Sequence, residues 1–114
     1  MAVTPDGRRA YVADGRESQV SVVDLVGQTV LETIPVGPEP VGIAMNASGS
    51  AVYVTSFRDG TLTAISTGTN DVVGTARVGG SPRAVVVSRD GTRAFVTHST
   101  STLSIVDLAG LGRR

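Results

Sequence analysis

The stretch VTPDGRRAYVADG, from Val3 to Gly15, returns twice downstream: as MNASGSAVYVTSFRDG from Met45 and as VSRDGTRAFVTHS from Val87. Each copy has an apolar start, a turn that ends in glycine, an aromatic-Val pair and a polar loop. Laid over one another, the copies hold an offset of 42 residues. Gly7, Gly49 and Gly91 coincide, as do Tyr11, Tyr53 and Phe95, and Val12, Val54 and Val96. The same offset carries Gly37 onto Gly79 and Pro40 onto Pro82. Register kept across such different residue types marks a chain built by repetition.

Outward from that stretch, each repeat divides into short apolar runs separated by turns, and no run has the spacing of a long amphipathic helix. Strands are expected at about 1–4, 10–13, 20–24 and 29–36, then 41–45, 51–55, 62–66 and 71–78, then 83–88, 94–97 and 103–108. Pro5-Asp6-Gly7 places proline where φ near −65° is wanted and glycine where φ turns positive, which suits a short hairpin. Four strands in roughly 40 to 45 residues is the signature of a propeller blade. The expected fold is therefore all-β, with β-propeller blades of four-stranded antiparallel sheets in an incomplete propeller of 11 strands (4+4+3). One segment covers 1–114, with repeats 1–42, 43–84 and 85–114, the last lacking its fourth strand. The first run of each repeat is apolar on nearly every residue and is expected to be the deeply buried, innermost strand.

Length and composition narrow the rest. A chain of 114 residues makes at most one ordinary domain. Ten basic residues, all arginine, balance ten acidic ones, so no net field recommends nucleic acid or an anionic membrane as partner. Absence of cysteine excludes disulfides, thiolate metal sites and cysteine nucleophiles. No apolar run approaches the roughly 20 residues of a membrane span, and the N-terminus has no signal-peptide pattern.

VTPDGRRAYVADG, VYVTS and ISTGTNDVVGTARVGGSPRAVVVSRDGTRAFVT together resemble the YVTN β-propeller repeat family. Its repeats read approximately V-x-P-D-G-x-x-x-Y-V-T-N, then V-S-V-I-D-x-x-T-N-x-V, then I-x-V-G-x-x-P. The chain departs at Ala13-Asp14, Thr55-Ser56 and Thr97-His98, where Thr-Asn is usual, and at Ser66, where Asp24 and Asp107 keep the aspartate. One residue is also missing between His98 and Leu103. The resemblance implies a propeller, commonly exported to the periplasm or beyond the cell, and brings no catalytic signature.

In a propeller blade the loop into the innermost strand and the loop between the second and third strands share one face, and such loops commonly carry binding groups. The candidate ligand-binding residues on that face are Arg16, Glu39, Arg58, Asp59, Arg83 and His98. Arg16 and Arg58 are equivalent under the repeat, so paired guanidinium forks would suit a small anionic ligand. The plainer reading is that Arg16 with Glu17, and Arg58 with Asp59, compensate each other. Arg83 precedes an innermost strand and is expected to face the central channel. Tyr11, Tyr53 and Phe95 are expected to pack between blades. Asn46-Ala47-Ser48 matches a glycosylation sequon but falls in a hairpin turn. One histidine, no G-x-S-x-G elbow and no phosphate-cradling loop give no catalytic constellation, and no metal or cofactor is expected.

The function expected is a non-enzymatic scaffold or binding module, a piece of a longer propeller. Its partners would be the missing blades of that propeller or further copies of the chain in a homo-oligomer. The alternative is part of a lactonase-like hydrolase or electron-transfer dehydrogenase propeller whose active site needs other blades.

Overall fold

The computed structural model of the chain describes residues 1–108, so the expectation that nothing after Leu108 forms a strand lies outside the described residues. Among the described residues eleven strands make three antiparallel sheets. The first blade holds β1 (Ala2–Val3), β2 (Arg9–Asp14), β3 (Gln19–Asp24) and β4 (Thr29–Pro35). The second holds β5 (Pro40–Met45), β6 (Ala51–Ser56), β7 (Thr61–Ser66) and β8 (Asp71–Arg77). The third holds β9 (Pro82–Val87), β10 (Arg93–His98) and β11 (Leu103–Asp107). Each sheet runs in chain order, the meander that two- to five-residue hairpin turns dictate.

The repeated turns are built as the sequence predicts. Gly7, Gly49 and Gly91 take φ of 72°, 77° and 76°, which residues with a Cβ adopt only at a cost. In the outer repeats an aspartate completes the turn. Asp6 Oδ1 accepts the Thr4 hydroxyl at 2.6 Å and the Arg8 N–H at 3.0 Å. Asp90 Oδ1 repeats this with the Ser88 hydroxyl at 2.7 Å and the Thr92 N–H at 3.0 Å. Asn46 holds the middle turn differently, its Oδ1 accepting the Ala51 N–H at 3.1 Å. Repetition reaches even the irregularities: the β3–β4 register shifts at Val22/Val23 and the β7–β8 register at Ala64/Ile65.

The core lies between blades. Tyr11, Val20, Val22 and Ile34 of the first blade pack on Val52, Val54 and Ile65 of the second. Tyr53, Leu62 and Ala64 of the second pack on Val85, Ala94 and Val96 of the third. The middle blade thus spends alternate residues on its two neighbours, a direct use of the two-residue period of a strand. Each fully buried Val, Leu or Ile contributes about 1.5–3 kcal/mol of transfer free energy.

One expectation is corrected here. The innermost strands are not the most buried: Val3, Val41 and Val86 are 45%, 44% and 61% exposed, whereas β6 and β7 are buried along most of their length. Burial follows coverage of both sheet faces. The middle blade's central strands have a blade on either side, whereas Val3 and Val86 stand on sheet faces that point away from the middle blade.

Candidate functional site

The loop face of the first two blades is assembled by short-range bonds. Asp14 Oδ1 accepts the N–H groups of Arg16 and Glu17 at 3.2 and 3.3 Å, folding the β2–β3 loop back on its strand. Glu39 sits at φ 58° immediately before Pro40, and its counterpart Ser81 at φ 56° before Pro82. Left-handed backbone at a residue with a Cβ costs about 1–3 kcal/mol. A cross-loop bond offsets part of that: the Glu39 carbonyl accepts the Phe57 N–H at 2.9 Å, and the Ser81 carbonyl accepts the Ser99 N–H at 3.0 Å. The crossover into each blade is thereby stitched to that blade's own β2–β3-type loop.

This backbone brings Arg16, Glu39 and Arg58 onto one cleft of about 280 Å³, completed by Gly15, Ser18 and Pro38. Arg58 Nε donates to Glu39 Oε1 at 3.2 Å, across side chains 75% and 41% exposed. An ion pair that open contributes at most about 1 kcal/mol. The compensation therefore differs from the simple one: Arg58 turns to Glu39 rather than Asp59, and Arg16 makes no ion pair among the described residues. Asp59 lies beside the cleft and not in it, with Oδ2 accepting the Thr61 hydroxyl at 3.4 Å.

Arg83 and His98 belong to the junction of the second and third blades. The Arg83 guanidinium lies over the Phe57 ring, 5.4 Å from the centroid, and Nε donates to Ser99 Oγ at 2.8 Å. Planarity and delocalised charge favour that stacking over hydration alone. His98 is not on the open face. It is buried, with Nδ1 2.8 Å from the Gly80 carbonyl and Nε2 2.8 Å from Ser104 Oγ, which also lies 3.0 Å from the Val78 carbonyl. A carbonyl only accepts, so Nδ1 carries a proton and the ring ties the crossover to β11. Both nitrogens are engaged in structure.

Sequence reasoning gave no signal for two further features. A cleft of about 440 Å³ on the opposite, hairpin-turn face is lined by Arg8, Arg9 and Tyr11, whose hydroxyl donates to Asn70 Oδ1 at 2.6 Å across the first two blades. Burial raises the Tyr11 hydroxyl above its ordinary pKa of 10.0, against the opposing pull of the neighbouring Arg9. Ser56, the counterpart of His98, is buried with no hydrogen-bond partner for Oγ among the described residues, pressed against Gly37. Among the described residues no group of three His, Asp or Glu side chains gathers as a metal site. The loop-face cleft offers two guanidinium groups and one carboxylate, a set that binds charge and has no paired nucleophile and base.

Comparison with solved structures gives the fold. Hydrazine synthase of Kuenenia stuttgartiensis superposes with a TM-score of 0.90 at 21% identity, over 96% of this chain and 32% of that one. The dihydro-heme d1 dehydrogenase NirN, in complex with DHE, superposes with a TM-score of 0.80 at 24% identity, over 92% of this chain and 23% of that one. This is a segment of β-propeller architecture. At these identities the likeness is one of fold, and the chain spans about a third and a quarter of the two structures it matches. No family model and no curated protein matches it.

Proposed function

We propose that the chain is part of a YVTN-type propeller serving as a non-enzymatic scaffold and binding module, with the Arg16–Glu39–Arg58 cleft taking a small carboxylate- or phosphate-bearing ligand. The observation that carries this reading is that two repeat-equivalent arginines from adjacent blades line one cleft, and that Arg16 has no ion pair among the described residues. Glu39 occupies the Nε edge of Arg58, so a singly charged head group on Arg16 is the simplest occupant, and a second anionic group would have to displace Glu39. Engagement of the single histidine in blade packing supports binding rather than acid–base chemistry. Membership of the exported YVTN family rests on the repeat motifs.

The test is an NMR titration of the arginine Nε–H resonances with inorganic phosphate and with acetate. Saturable shifts at both Arg16 and Arg58, lost in Arg16→Ala, are expected. Linear, unsaturated shifts at both would overturn the reading.

A second reading has one observation in its favour: the two matched structures are, by name, a synthase and a dehydrogenase. On that reading these blades are framework for an active site whose reacting groups come from other blades. A divalent metal retained by a ring completed with such blades would decide for it.

A further inference from the structure

The loop-face cleft contains its own example of the contact a bound carboxylate would make. Glu39 Oε1 lies 3.2 Å from Arg58 Nε, at the edge of a guanidinium group. Repeat register separates this side chain from the backbone that carries it. Ser81 is the counterpart of Glu39 and takes the same left-handed conformation, φ 56° against 58°, each before a proline. The Ser81 carbonyl accepts the Ser99 N–H as the Glu39 carbonyl accepts the Phe57 N–H. The crossover therefore folds alike with serine or glutamate, and the Glu39 carboxylate is surplus to what the turn requires. What it acts on is Arg58.

Charge along the cleft gives the consequence. Arg16 and Arg58 bring two guanidinium groups, Gly15, Ser18 and Pro38 bring no charge, and Glu39 is the one carboxylate among the lining residues. Two positive charges against one negative leave the lining with one net positive charge, which a monoanion neutralises. A dianion would exceed it and set its second charge against Glu39. Both walls are tied by backbone bonds. On the first blade the Val36 N–H donates to the Ser18 carbonyl at 3.0 Å, and the loop that bears Arg58 is closed by the Gly60 N–H on the Ser56 carbonyl at 2.9 Å. A like charge built into a held site discriminates by repulsion as well as by attraction.

We infer that Glu39 is the specificity-determining residue of this cleft, setting it to take a monocarboxylate and to disfavour dianions such as sulfate or a fully ionised phosphate monoester. This rests on the reading of the cleft as an anion site and adds which anions it takes. Because the Glu39–Arg58 pair is open to solvent, its effect on relative affinity has a ceiling of about fivefold.

Titration with acetate and with sulfate, singly and doubly charged at neutral pH, tests it at fixed ionic strength by following the Arg16 and Arg58 Nε–H resonances. Three proteins are compared: the wild type, Glu39→Ser and Glu39→Gln. Serine is the residue the chain itself places on this backbone at Ser81, and glutamine keeps the shape of the side chain without its charge. In both variants the affinity for sulfate relative to acetate is expected to rise about fivefold over the wild type. A ratio unchanged in both variants overturns the role of Glu39 and leaves the cleft an anion site. A rise with serine and none with glutamine also overturns it, because bulk and not charge would then be at work. Failure of all three proteins to bind either anion overturns the underlying reading, and the specificity with it.

Discussion

Single residues in this chain do their work through small, repeated hydrogen-bond sets. Asp90 is fully exposed, yet its carboxyl is lowered to about 2 from 3.8, first by the Ser88 hydroxyl, then by the Thr92 N–H and hydroxyl. Asp6 is lowered in the same direction, chiefly by the Thr4 hydroxyl. A carboxyl whose folded pKa lies below its unfolded one stabilises the fold fully above the unfolded value and loses that contribution as pH falls through the folded value. For Asp90 the window runs from about 4 down to about 2. Carbon-detected NMR should show the Asp90 carboxyl titrating near the lower end, and Asp90→Asn should flatten the acid limb of the melting curve in that window. A carboxyl titrating at the ordinary aspartate value would show that the turn does not hold its anion.

At the scale of elements, the packing of one blade on the next is set by close backbone approach as much as by side chains. A Cβ on Gly42 would stand 2.5 Å from Thr55 Oγ1 and 2.6 Å from the Arg83 carbonyl of the next blade. Its φ is not left-handed, so the demand is for space alone. Thr55 is buried there, accepting the Gly42 N–H at 3.0 Å and donating to the Arg83 carbonyl at 3.4 Å. Gly42→Ala is expected to destabilise by about 1–3 kcal/mol, the usual cost of overpacking, read as a lower urea midpoint. Ala84→Gly, at the equivalent position on the exposed face of the third blade, should cost less than about 1 kcal/mol, the ordinary strand penalty of glycine. Equal costs at the two positions would contradict the interface described.

For the molecule as described over residues 1–108, the middle blade is the keystone, because among the described residues it is the blade covered on both faces. Leu62 is buried in the cluster shared with the third blade and Ile65 in the cluster shared with the first. Truncation of either to alanine is expected to cost about 2–5 kcal/mol. Since both side chains stand on β7, both losses should lower one shared unfolding transition, measured by circular dichroism and by tyrosine fluorescence together. Separate transitions, with Leu62→Ala loosening one part and Ile65→Ala another, would mean that the blades unfold as independent units, the behaviour of a weakly coupled repeat array.

What the sequence determined by itself was the repeat, the strands within it and the turns between them. Those features are local: alternation along a strand, glycine where φ turns positive at Gly7, Gly49 and Gly91, and a register that chance would not keep. Eleven strands in sheets of four, four and three followed from them. Tertiary structure alone decided how burial is shared and where the loop charges meet. Val41 is exposed and Thr55 buried although both lie in strands of one blade, because coverage by neighbouring blades, and not side-chain apolarity, sets exposure. Arg58 chose Glu39 over the adjacent Asp59, Arg83 chose Phe57 and Ser99, and His98 turned inward to Gly80 and Ser104. Each of those choices depends on the distance between one blade and the loop of the next, a quantity that a period of 42 residues announces and does not specify.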